Sequence, residues 1–292
     1  VRKRIAKSLR KQLILPKNSI KSLGRPFRVL VAISGGKDSA ILLYFMHSIL
    51  GMRRDVELIA GVVDEGIDGY RSPSIDCAEK LCTMLDVQFE RISYPDLSFP
   101  EMDNVVELLP KISENNVEAD GMMPCSFCGV FRRQGLNSLA NRIGADVMAL
   151  GHNLDDVAQS VLMNMQKGEV DRTARLAPHT TQPIEGLAPR IVPLRWIPEQ
   201  EIHAAAIQLN LPIHHGDCPH AGGAMRQRSR DIIATIEKDI PGSRHGLVQS
   251  MDRIRELASQ SKNASKILSC ERCGEPTSRP VCQSCTMKEW FE

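Results

Sequence analysis

The 292-residue sequence lacks any apolar run approaching the roughly 18–20 residues that a membrane-spanning helix needs, so no membrane role is expected. No secretory signal opens it, and no internal repeat runs through it. Charge of one sign is not in excess either. The formal net charge is +2, too small for overall charge to argue for a nucleic-acid partner. The nine cysteines do not read as a disulfide framework, because their number is odd and six form three Cys-x-x-Cys pairs. That pattern suits metal or redox chemistry in a reducing compartment, hence a cytoplasmic location. With 42% apolar and 25% charged residues, the chain has an ordinary soluble composition and is long enough for one large core or two domains.

The first residue is Val1 rather than Met. Between Arg2 and Lys11 lie six basic residues and no acidic ones, with Ile5, Leu9 and Leu13 on one helical stripe. A helix packed on the core with a solvated basic face is expected; contact with RNA is the functional alternative, and a mitochondrial targeting sequence would be basic too. Strands are predicted over Arg28–Ile33, Glu57–Val63, Val87–Ile92, Asp146–Leu150 and Arg190–Leu194. Helices are predicted over Asp38–Leu50, Ser74–Leu85, Val130–Ile143, Leu154–Met165, Glu199–Leu209, Ala224–Glu237 and Leu247–Ser259. Tyr94–Met102 and Leu176–Pro189 read as loops. This alternation indicates an α/β fold around a mostly parallel sheet. The polar run Ser259–Ser265 marks a boundary, beyond which Cys270–Glu292 reads as a small appended module.

The segment Ser34-Gly35-Gly36-Lys37-Asp38-Ser39 follows the first strand and opens a helix. Two glycines let the backbone turn tightly and come close to a ligand. The first N–H groups of a helix have no internal partner and, with the helix dipole, can bind phosphate oxygens. Lys37 adds charge, and Ser34 and Ser39 add hydroxyl donors. The alternative is a plain turn with Asp38 or Ser39 capping the helix. The Walker pattern G-x-x-x-x-G-K-S/T is absent. A second block, Gly151-His152-Asn153-Leu154-Asp155-Asp156, also lies between a strand end and a helix start, so both blocks can face one site at the carboxyl ends of the strands. There Asp155 or Asp156 can bind magnesium or cap the helix. A third block, Val63 to Arg71, follows another strand end. Its carboxylates either solvate a loop or, at Asp64, contact nucleotide or metal.

Cys125-Ser126-Phe127-Cys128 lies before a predicted helix, and Cys218 lies far downstream, at the start of a helical segment. Two thiols are half of a usual zinc site or a redox dithiol. Three thiolates can hold a cubane iron–sulfur cluster and leave its fourth iron open. A thioredoxin-like pair, or two inert cysteines with Cys218 buried, is the alternative, and His152, His214, His215 and His220 are rival ligands by composition. Independently, Cys270-x-x-Cys273 and Cys282-x-x-Cys285 have the spacing of a tetrahedral zinc ribbon, whose metal would supply the core that so short a segment lacks. Two disulfides are the alternative there, and Arg272 and Arg279 offer RNA contacts. Cys77 and Cys82 read as core, Met163 and Met165 as packing, and Arg172–Arg175 as a phosphate path or a solvated loop.

Through Ser34–Ser39 the chain resembles the PP-loop ATP pyrophosphatases. Through Gly151–Asp156, the segment from Asp64 to Arg71, and the pattern Cys125, Cys128, Cys218, it resembles their tRNA 2-thiolation (TtcA/TtuA-like) family, over nearly its whole length. The resemblance implies a Rossmann-like fold of the PP-loop, adenine nucleotide alpha hydrolase type, plus a C-terminal zinc ribbon. The parts would be a basic helix and linker (1–24), a catalytic domain (25–264) and a zinc-binding module (265–292). ATP would be a substrate, held by Ala32, Ser34, Gly35, Gly36, Lys37, Asp38, Ser39, Asp64, Gly151, His152, Asp155 and Asp156, with Mg2+ bridging the phosphates. Asp38, Cys125, Cys128 and Cys218 would be catalytic, the three cysteines as ligands of a [4Fe–4S] cluster; Cys270, Cys273, Cys282 and Cys285 would hold Zn2+.

The implied reaction has two steps. ATP activates the C2 oxygen of a uridine as an adenylate, and sulfur bound at the open iron attacks C2 as AMP leaves. A persulfide route through Cys125 and Cys218 is the rival chemistry. The expected substrate is wobble U34 of the tRNAs for Lys, Glu and Gln. Uridine 54 is the alternative, and the four-cysteine module argues against cytidine 32. Sulfur would come from a ubiquitin-like carrier protein or from sulfide, and a homodimer is expected because family members often dimerise. The family normally carries a second zinc module before its basic N-terminal helix, where this chain begins; that bears on tRNA binding and not on the ATP site. A zinc-ribbon RNA-binding scaffold, the different-class alternative, would have a damaged phosphate loop, and an amide-forming relative would not need the three cysteines.

Overall fold

Val29, Leu30 and Val31 are all fully enclosed on β1 (Phe27–Ala32), which requires helices on both faces of the sheet. The computed structural model describes residues 1–17, 19–180, 186–222, 225–260 and 268–292. In it β1 pairs in parallel with β2 (Val56–Asp64) on one side and β4 (Val147–Ala149) on the other. β3 (Gln88–Ser93) and β5 (Arg190–Ile191) complete a parallel sheet of order β3-β2-β1-β4-β5. Alternation along β1 sends Val29 and Val31 into a core with α3 (Lys37–Leu50), α4 (Arg71–Leu85) and α9 (Glu199–Gln208). Leu30 points the other way, into a core with α5 (Met102–Asn115) and α6 (Pro124–Arg142). Because the chain leaves β1 toward β2 and later returns to β4 on the opposite side, a crevice opens between the carboxyl ends of β1 and β4. The α/β fold expected from the alternating pattern is the one observed.

Around this centre, α1 (Arg2–Gln12) buries Ile5 and Leu9 in the first core and turns its basic residues outward. A short α2 (Ser19–Leu23) leads into β1. Beside β5, α7 (Leu154–Gln166), α8 (Val170–Ala174), α10 (Met225–Asp239) and α11 (Ser243–Gln260) enclose a third core with Val157, Val161, Ile233 and Met251. The last cysteines lie on a small unit of β6 (Leu268–Ser269), β7 (Pro276–Thr277) and α12 (Gln283–Glu289). Among the described residues no helix is long and apolar enough to cross a membrane.

Several expectations change. Helix α6 starts at Pro124, not Val130, because proline suits the first helical position; Cys125 and Cys128 therefore sit in its first turns. Helix α5 was not expected, since Pro110 inside it reads as a breaker, yet its apolar residues Met102, Val105 and Leu109 are buried. Cys218 lies in an irregular segment between α9 and α10, away from any helix start. The strand expected over Arg190–Leu194 is two residues long. Cys82 is buried, with burial pushing its thiol up to about 12, but Cys77 is only half-buried and Met165 is exposed. The expected start of α10 at Ala224, the boundary at 264/265 and part of the Leu176–Pro189 loop lie outside the described residues.

Candidate active site

The loop after β1 owes its shape to Gly35. Its φ is +84°, and a side chain there would overlap the Ser74 carbonyl of α4. Inside the loop, the Ser34 N–H donates to Ser39 Oγ at 3.1 Å, and Ser39 Oγ donates to the Gly36 carbonyl at 2.9 Å. Gly36 is the N-cap of α3, and no side chain caps it. Neither Asp38 nor Ser39 acts as the N-cap, so the first turn of α3 keeps its capacity to bind an anion.

Lys37 Nζ lies 3.1 Å from Asp38 and 2.7 Å from Glu199, at the start of α9. Burial works against its ammonium, and these carboxylates more than offset it, raising its pKa. Asp38 is held above the ordinary carboxyl range by burial, against the bond from Asn153 Nδ2 (2.8 Å) and the charge of Lys37.

The second block meets the first directly. Gly151 packs against the backbone of Asp38 and Ser39, where a Cβ would stand in ordinary van der Waals contact. Asn153 and Asp156 form a capping box at the start of α7: each side chain accepts the other's backbone N–H. Asp156 also pairs with Arg226 of α10 at 3.1 Å. Asp155 accepts the Glu199 N–H at 2.8 Å and pairs with Arg244 of α11 at 2.7 Å. The two aspartates thus fasten the helical layer to the crevice. A cleft of about 180 Å3 lies here, lined among others by Ala32, Ser34, Asp38, Ser39, His152 and Arg132.

In the third block, Asp64 turns to Arg91 and the Gly66 N–H and does not line the cleft. Its neighbour Glu65 does line it, buried between Arg71 and Arg132. Arg132 reaches Cys128 Sγ at 2.8 Å, and the buried Tyr94 hydroxyl donates to the Cys128 carbonyl at 3.1 Å. Cys125 is exposed, while Cys128 and Cys218 are half-buried. Burial pushes the Cys125 thiol up, and Cys128 and Cys218 add to the shift. Burial likewise raises Cys218, with Cys128 contributing. Cys125 Sγ lies 3.8 Å from the His220 carbonyl, two residues past Cys218, and Cys128 and Cys218 pack against the same core, so the three cysteines sit in one region beside the cleft that Arg132 lines. Their sulfurs are not gathered as ligands of a single ion; a cubane spreads its thiolates over separate irons and needs wider spacing. Of the rival ligands, His220 is engaged by Asp103 at 2.6 Å, and His214 packs edge-on against Tyr70.

The sulfurs of Cys270, Cys273, Cys282 and Cys285 all lie within 4.8 Å of one another, a site that can bind metal. The module docks on α6: Phe127, between Cys125 and Cys128 in sequence, packs against Trp290 and Phe291 at centroid distances of 5.8 and 5.6 Å. Sequence reasoning missed Glu65, Arg71, Arg132, Asn153 and Glu199. A signal existed for Arg132, four residues after Cys128 and so on the same helix face. None marked Glu199, which comes close only through the tertiary fold.

No protein-family model matches the chain. The chain is similar, at 34% identity over 301 aligned positions covering 100% of it and 90% of the relative, to tRNA 2-thiolation protein NcsA of Haloferax volcanii. It is also 34% identical to cytoplasmic tRNA 2-thiolation protein 1 of Chlamydomonas reinhardtii, over 90% of this chain and 71% of that one. Among solved structures, U34-tRNA thiolase NcsA from Methanococcus maripaludis with its [4Fe–4S] cluster superposes with a TM-score of 0.78 at 33% identity, covering 98% of this chain and 86% of that one. Because relatives of one kind match 90% or more of its length at 33–34% identity, the chain belongs to the tRNA 2-thiolation protein family and is a tRNA sulfurtransferase.

Proposed function

We propose that the chain replaces the C2 oxygen of wobble uridine U34 of tRNA with sulfur, consuming ATP. The observation that carries this reading is the single cleft in which the uncapped start of α3 and the Arg132–Cys128 pair face each other. The relative from M. maripaludis is a U34-tRNA thiolase, which supports the position. ATP lies with its phosphates on Ser34–Ser39, and Gly151 and His152 line the same cleft beside Ala32. Attack of the uridine C2 oxygen on the α-phosphate forms an adenylate and releases pyrophosphate. Sulfur then adds at C2, and AMP leaves with the former uridine oxygen. Lys37 must exchange Glu199 for phosphate during this cycle, and the N–H groups of α3 hold the leaving pyrophosphate. Asp38 lines the cleft and would help hold Mg2+, which would offset the phosphate charge; Asp155 and Asp156 act on the nucleotide through the loop and helices they fasten.

Cys125, Cys128 and Cys218 fit a three-thiolate donor set, being brought to one region, partly accessible and not gathered round one ion. They would hold a [4Fe–4S] cluster like the one in the M. maripaludis relative. Bound there, such a cluster supplies an iron without a cysteine ligand, where labile sulfur can reside. Cys270, Cys273, Cys282 and Cys285 would hold Zn2+, for which four closely set thiols are the usual structural site. In this reading residues 25–264 are the catalytic domain and 265–292 the zinc module. tRNA is the macromolecular partner, a ubiquitin-like carrier or sulfide the sulfur donor, and a homodimer the working form. The cytoplasm is the site of action, as the name of the C. reinhardtii relative states for that protein.

The test is anaerobic incubation with ATP, Mg2+, sulfide and unmodified tRNA for Lys, followed by mass spectrometry of nuclease fragments. Sulfur at position 34 is expected. Sulfur at position 54 would replace the substrate assignment, and no ATP-dependent thiolation would overturn it.

A further inference from the structure

Glu65 stands between the two halves of this site. Its side chain is 3% exposed, at the point where the chain leaves β2. Its two carboxylate oxygens serve different arginines: Oε2 lies 2.5 Å from Arg71 Nε, and Oε1 lies 2.8 Å from Arg132 Nε. Arg71 is itself buried and anchored on backbone. It donates to the Ser34 carbonyl at 3.0 Å, at the start of the phosphate loop, and to the Val63 carbonyl. Arg132 is half-exposed, and among the described residues its polar contacts are Glu65 and the Cys128 sulfur. A chain of contacts thus runs from the Ser34 carbonyl through Arg71, Glu65 and Arg132 to Cys128 Sγ; its Arg71–Glu65 link is an ion pair in which Arg71 Nε and Glu65 Oε2 lack hydrogen-bond geometry.

Burying such ions is a poor way to stabilise a fold, because their desolvation offsets much of the attraction. The arrangement has a geometric use instead. An arginine side chain at the cleft edge has many rotamers, and a carboxylate fixed from behind by a buried arginine selects one of them. Two guanidinium groups against one carboxylate also leave a net positive charge beside the sulfur of Cys128.

We propose that Glu65 is a positioning residue for the thiolation reaction. Its carboxylate aims Arg132 at the Cys128 sulfur and ties that arginine, through Arg71, to the phosphate loop, so that the sulfur and nucleotide halves of the cleft keep one relative geometry. This rests on the reading of Cys128 as a sulfur-handling residue given above.

A double-mutant cycle in the full-length protein tests it, with anaerobic thiolation of tRNA using sulfide as the sulfur source. The variants are Glu65→Gln, Arg132→Gln, the two combined, and Glu65→Asp, which keeps the charge if the glutamine variant does not fold. A displaced catalytic contact costs on the order of 10²-fold, and that loss of kcat is expected for each single variant, with KM for ATP unchanged. The double variant should be no slower than the worse single one, because Glu65 acts through Arg132. Glu65→Asp should lower kcat while melting close to the wild type. Losses that multiply in the double variant, or wild-type kcat in a folded Glu65→Asp or Glu65→Gln protein, would overturn the proposal. Iron is counted in the same wild-type preparation. An iron-free but active wild type would overturn the cluster reading alone, since the cycle is read from turnover and decides Glu65 either way.

Discussion

At Gly35 the phosphate loop depends on the absence of one carbon. The positive φ and the Ser74 carbonyl leave no place for a side chain, so Gly35→Ala must either move α4 or open the loop. It should cost about 1–3 kcal/mol, read by urea denaturation, and abolish detectable ATP binding in calorimetry. Asp38 carries the opposite tension. Burial holds its carboxyl above the ordinary range, so its ionised form costs folding stability above the folded-state pKa; the cost disappears as pH falls below the unfolded value, about 4. Asp38→Asn should therefore melt no lower than the wild type at neutral pH, with the difference closing toward acid, while tRNA thiolation is lost. A variant that melts well below the wild type at neutral pH would contradict this sign. Residues such as Ser34–Ser39 were legible because their chemistry is local. Asp64 and Glu65 show the limit: both are acidic and adjacent at a strand end, and only the turn after β2 decides that Asp64 meets Arg91 while Glu65 enters the cleft.

Elements were legible where periodicity and turn chemistry agreed. β1, β2, α3 and α7 run close to their expected bounds, and both sequence blocks fall at the expected strand-to-helix junctions. Helix α5 was hidden by Pro110, and the first turns of α6 by the glycine and cysteines that precede its apolar residues. That Cys218 packs against the same core as Cys128 follows from the irregular segment after α9, which has no periodicity to read. Helix α7 offers a direct test at this scale. Asn153 caps it and also holds Asp38, so Asn153→Ala should lower stability by about 1–2 kcal/mol in urea denaturation and raise KM for ATP. A loss of stability without a change in KM would confine Asn153 to capping.

Across the whole molecule, the cysteine-rich module and the cleft share α6. Trp290 and Phe291 close over Phe127, and Cys282 is the N-cap of α12, so a metal in the four-cysteine site would hold the clamp on the helix that carries Cys125 and Cys128. The chain has two tryptophans, so a Trp196→Phe variant reports Trp290 alone. Removing the zinc proposed for that site with a chelator should shift its emission to the red and lower the melting temperature; unchanged emission would mean that the module holds its place without metal.

The central claim is that Cys125, Cys128 and Cys218 together form the sulfur centre. Iron, acid-labile sulfide and zinc should be counted in anaerobically prepared wild type and Cys218→Ala. About four irons and four sulfides per chain are predicted for the wild type and their loss in the variant, with about one zinc in both. A wild type free of iron under these conditions would contradict the cluster and leave persulfide chemistry at the same cysteines.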